Sequence, residues 1–78
     1  MNREEIKELI ENAIILDGYD DCIVGVTEEF GIGNRILYSR DKILEKLRLD
    51  MSEEDAIEFY YYNIVGGYFG ENNPIFLV

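Results

Sequence analysis

The chain has 78 residues, 47% of them hydrophobic and 13% aromatic, with 17 acidic and 7 basic side chains and a formal net charge of −10. That length fits one domain, the apolar fraction is too high for a disordered acidic tail, and no apolar run approaches the ~18–20 residues of a membrane-spanning helix. So negative a surface repels phosphate groups and anionic headgroups, which argues against direct nucleic-acid and membrane partners and favours a basic protein surface.

Residues 2–17 predict an amphipathic helix. Asn2 stands as its N-cap with Glu5 three positions on, and Ile6, Leu9, Ile10, Ala13 and Ile14 repeat at helical spacing. Gly18 occupies the place of a left-handed C-terminal cap. Residues 22–28 predict a strand, with Cys22, Val24 and Val26 on one face and Ile23, Gly25 and Thr27 on the other. Gly25 marks a bulge or the close approach of a helix. Residues 35–39 predict a second strand, joined to the first through the hairpin turn Phe30-Gly31-Ile32-Gly33-Asn34.

Ser39 or Asp41 caps a short helix over 41–49, whose apolar stripe is Ile43, Leu44 and Leu47. Ser52-Glu53-Glu54-Asp55 is a capping box that opens a third helix at Glu53. This helix runs to about Val65 and breaks at Gly66-Gly67. Pro74 then leads into a final strand, Ile75 to Val78. The order α-β-β-α-α-β predicts a single α+β domain over residues 1–78, a three-stranded antiparallel or mixed sheet covered on one face by helices.

The missing residue types restrict the chemistry. Without histidine there is no Ser-His-Asp or Cys-His nucleophile system and no imidazole ligand, and one cysteine cannot complete a structural zinc site. A lone cysteine also excludes an internal disulfide and fits a reducing cytoplasm. No enzyme activity, catalytic residue, cofactor or metal is therefore expected. Cys22, apolar in setting and preceded by acids, reads as core filler and not as a nucleophile. Gly31-Ile32-Gly33 lacks the third glycine of a dinucleotide loop, because position 36 is Ile36, and reads as a turn. Asp17, Asp20 and Asp21 could offer oxygen ligands to calcium, but Tyr19 breaks the EF-hand spacing and a solvated turn is the simpler reading. Lys42, Lys46 and Arg48 could meet phosphate, yet internal pairs with Glu45 and neighbouring acids are favoured.

Charge is uneven along the chain. Residues 1–29 carry nine acids and two bases, residues 30–50 three acids and five bases, and residues 51–78 five acids and no base. The acids of the first and third helices either serve capping and solubility or form an acidic ligand surface. Six of the ten aromatics lie within 59–69. On a helical wheel Ile57, Tyr61, Ile64, Val65 and Tyr68 form one stripe and Phe59, Tyr62, Gly66 and Phe69 a second. One stripe is enough to dock a helix on its sheet. Either the chain wraps the second, or Phe59, Tyr62 and Phe69, rimmed by Glu54 and Glu58, contact a partner, with a homodimer as the cheapest version.

Residues 51–78 also resemble the C-terminal half of a set of short proteins encoded by tailed phages and prophages. The shared features are the capping box and Ala56, the aromatic run Phe59 to Asn63, the small pair Gly66-Gly67, Tyr68, Gly70-Glu71, and Pro74 to Val78. The strand Asp21 to Val26 and the turn Phe30-Gly31 fit as well. Gly67 and Asn73 depart from the pattern, which has Ala and Thr there. The resemblance implies phage or prophage origin and work in the cytoplasm of an infected bacterium; its shared residues read as fold determinants and bring no catalytic role.

Two functional readings follow. The first is a phage-type accessory or counter-defence protein that binds and blocks a host protein through an acidic, aromatic surface. The second is a nucleotide-sequestering protein at a dimer seam. In that case Tyr60, Tyr61, Tyr62 and Tyr68 stack on a base, Asn63, Asn72 or Asn73 read its edge, and Arg35, Arg40 and Lys42 supply the positive charge.

Overall fold

A computed structural model describes residues 2–10, 14–30, 33–67 and 73–78 of the chain. Helix α1 is Arg3–Leu9, strand β1 Ile23–Glu29, strand β2 Gly33–Ser39, helix α2 Arg40–Leu47, helix α3 Glu53–Phe59 and strand β3 Ile75–Leu77. A 3₁₀ turn, Asp20–Cys22, precedes β1, and a π-helical segment, Tyr60–Val65, continues α3. The molecule is a small α+β fold with a mixed three-stranded sheet in the order β1-β2-β3. β1 and β2 form an antiparallel hairpin, and β3 joins β2 in parallel.

The helix starts lie where local hydrogen bonding puts them. The Asn2 carboxamide oxygen accepts from the Glu5 N–H at 2.8 Å, the Ser39 hydroxyl from Lys42 and the Ser52 hydroxyl from Asp55. Each cap satisfies an N–H that the first turn leaves without an intrahelical partner.

The end of α1 differs from the periodicity. The helix stops at Leu9, and Ile10 is already extended at φ −129° and ψ 115°. Ile14 is non-helical, and Ala13 lies outside the described residues. A helix running on to residue 17 would carry Asp17 about 21 Å along the axis from Arg3. Instead the chain folds back, and the Arg3 guanidinium reaches Asp17 at 2.9 Å and Asp20 at 2.7 Å. Gly18, at φ +88°, serves this tight return turn and caps no helix. Ile6 and Ile10 are buried nonetheless, and the returning strap is tied down where the Leu16 N–H donates to the Tyr38 hydroxyl at 2.8 Å.

β1 begins one residue later than its sequence indicates, with Cys22 in the 3₁₀ turn. Ile23 faces Tyr38 while Gly25 faces Leu37, so Val24 is the extra residue of a bulge at the position Gly25 marks. The bulge breaks the alternation. Ile23 is buried and Val26 lies against the core, three positions apart on one side, while Val24 is exposed. The rest of the core comes from Cys22, Ile36 and Tyr38, from Ile43, Leu44 and Leu47 on α2, and from Ala56, Tyr60 and Ile64. Phe76 of β3 joins the layers: its ring stacks on Tyr38 at 6.0 Å and meets Tyr60 edge-on at 5.8 Å.

Candidate interaction surface

The face that the third helix turns to the core is not the one a uniform helical wheel selects. Ala56, Tyr60 and Ile64 are buried, whereas Ile57, Tyr61 and Val65 of the expected docking stripe stay 40–49% exposed. The π-helical winding keeps Ile64 in line with Ala56 and Tyr60. Four residues overshoot a 3.6-residue α turn, but i→i+5 bonding fits more residues into each turn, so steps of four stay nearly in line. Gly66 closes the segment by donating its N–H to the Tyr61 carbonyl at 2.8 Å. A Cβ at Gly66 would lie 2.8 Å from that carbonyl oxygen and 3.1 Å from the oxygen of Tyr62, so the closure needs glycine.

Beside the buried line, a groove of about 430 Å³ is lined by Met51, Asp55, Glu58, Phe59, Tyr62 and Asn63. Of the residues expected at a partner surface, it brings together Glu58, Phe59 and Tyr62. Glu54 is exposed on the same helix, one turn before Glu58, without lining the groove, and Phe69 lies outside the described residues. Tyr62 is 76% exposed and Phe59 38%. Asp55 and Asn63 belong to the same face by spacing, at i−4 and i+4 from Phe59, a signal that sequence reasoning passed over. Met51 comes from the corner between α2 and α3, and nothing local in the sequence marks it.

The electrostatics of this face follow from where the cations are. All seven lysines and arginines precede residue 49. Arg3 engages Asp17 and Asp20, Arg35 Glu29, Arg40 Asp41, Lys46 Asp21 and Arg48 Glu53. Among the described residues Glu54, Asp55 and Glu58 take part in no ion pair.

A second region is balanced in charge. A second groove, about 470 Å³, is lined by Asp21, Cys22, Lys42, Glu45, Lys46 and Leu49. Lys46 pairs with Asp21 at 2.8 Å, not with Glu45, and its ammonium sits 6.0 Å from the centre of the Tyr19 ring. The hydrogen bond from Lys46 holds the Asp21 carboxyl below its usual range. Burial first, and then the Asp21 charge, push the Cys22 thiol up. Asp17, Asp20 and Asp21 turn to Arg3 and Lys46, and among the described residues no three metal-ligating side chains converge.

Tyr60, one of the rings considered for stacking on a base, is buried, and burial raises its phenol pKa. No described helix is long and apolar enough to cross a membrane. No family model, curated protein or solved structure matches this chain.

Proposed function

We propose that the chain is an interaction protein, a small phage-type accessory or counter-defence factor that binds a basic surface of a host protein in the bacterial cytoplasm and blocks it. One observation carries this reading. Phe59 and Tyr62 share an open groove with Asp55 and Glu58, whose carboxylates meet no cation of their own chain among the described residues. Exposed rings supply apolar anchors at modest entropic cost, and unpaired acids beside them select a cationic partner and speed its approach. Glu54 extends the acidic rim toward the start of α3.

A homodimer through this same face would set Asp55 and Glu58 against their own copies, which costs energy at low salt. The nucleotide reading is weaker on electrostatic grounds, because the groove is acidic and Arg35 and Arg40 already face Glu29 and Asp41.

The test is affinity capture from host lysate. The wild-type chain recovers a basic protein at low salt, recovery falls as salt rises, and Tyr62→Ala abolishes it. Failure to recover any protein at low salt, or undiminished recovery by Tyr62→Ala, contradicts the reading.

A further inference from the structure

We infer that the groove on the α3 and π-helical flank reads arginine in particular: a partner's guanidinium lies on the Tyr62 ring and forks to the carboxylates of Asp55 and Glu58. This deepens the interaction reading above and rests on it. The ring and the two acids line one open groove of about 430 Å³.

Three features select the occupant. First, the charge is complementary to a cation and is not cancelled from within, because Asp55 and Glu58 take part in no ion pair among the described residues. Second, Asp55 and Glu58, three apart on the helix, offer separate acceptors that suit a planar fork of donors better than a point charge. Third, Tyr62 presents most of its ring to solvent, and a guanidinium stacks on such a face while still donating in its own plane. Phe59 and Met51 supply apolar wall for the side-chain stem.

A second copy of the chain is a poorer occupant. All four of its arginines, Arg3, Arg35, Arg40 and Arg48, sit in ion pairs with side chains at least half withdrawn from solvent.

The experiment is an NMR titration of the full chain with two capped hexapeptides, one with alternating arginine and alanine, the other with lysine in place of arginine. The expected result is shifts centred on residues 51–63 and binding of the arginine peptide at least about threefold tighter. Tyr62→Leu, a change at an exposed position, removes the preference, and Asp55→Asn with Glu58→Gln weakens both peptides. Equal binding of the two peptides, shifts spread over the acids of α1, or self-association through residues 51–63 before peptide is added would each overturn the inference. A lysate partner captured by a chain that shows no arginine preference would sink this inference and leave the interaction reading standing. Arginine preference without any lysate partner would do the reverse.

Discussion

The N-terminal side of the molecule and the flank of its third helix carry the same kinds of residue and use them differently. On the first side, acids are consumed by the fold: Arg3 draws Asp17 and Asp20 back onto α1, and Lys46 holds Asp21 against α2. On the second, Glu54, Asp55 and Glu58 of α3 pair with no cation among the described residues, and the rings beside them divide between core and solvent. Tyr60 sinks into the core to meet Phe76, while Tyr62, two residues on, is left in the open. The difference teaches that carboxylate count says little about function until each carboxylate's partner is known.

The contrast between Tyr60 and Tyr62 gives the largest expected effect. Tyr60→Ala empties the junction of helix and sheet and costs about 3–5 kcal/mol, read by urea unfolding. Tyr62→Ala changes stability by no more than about 0.5 kcal/mol and shows itself only in binding. Comparable losses for the two would mean that the exposed ring is structural.

Gly66→Ala comes next. The added methyl must displace the carbonyls of Tyr61 and Tyr62, at a cost of about 1–3 kcal/mol by the same measurement. The displacement also loosens the turn that aims Tyr62, so partner affinity falls with stability. Ser52→Ala removes the cap of α3 and costs about 1 kcal/mol, seen as a lower melting temperature.

The smallest effect separates the two sides by pH. The hydrogen bond from Arg3 lowers the Asp20 pKa, and that from Lys46 lowers the Asp21 pKa. A carboxyl whose folded pKa lies below its unfolded value contributes stability above the unfolded value, near 3.9, and loses it as pH falls through the folded one. The wild-type melting temperature should therefore fall as pH drops below about 4, and more steeply than in a variant with Arg3→Gln and Lys46→Gln. Equal slopes would show that these surface pairs contribute nothing measurable.

The elements that local hydrogen bonds decide could be read in the sequence. The caps Asn2, Ser39 and Ser52 and the end at Gly66 all lie where residue type alone sets the backbone, whereas Gly33 and Asn34, expected in the hairpin turn, already belong to β2. What could not be read depends on contacts made at a distance. The stretch through Ile14 keeps a helical pattern after α1 has ended, because the return loop is fixed by Arg3 reaching forward to Asp17 and Asp20. A wheel of constant pitch also cannot anticipate the π winding that keeps Ile64 in line with Tyr60. For the candidate surface, Phe59 and Tyr62 were readable as one stripe with Glu58 on its rim, whereas Met51 reaches the groove only through the turn between α2 and α3.

The central claim is that acids left unpaired on one helical face draw a cationic partner onto exposed rings. It is tested most directly by the dependence of partner affinity on salt, measured for the wild-type chain and for one carrying Glu54→Gln, Asp55→Asn and Glu58→Gln. The account predicts that wild-type affinity falls steeply as salt rises and that the neutralised chain binds weakly with a much flatter dependence. Equal slopes and equal affinities for the two chains would contradict it.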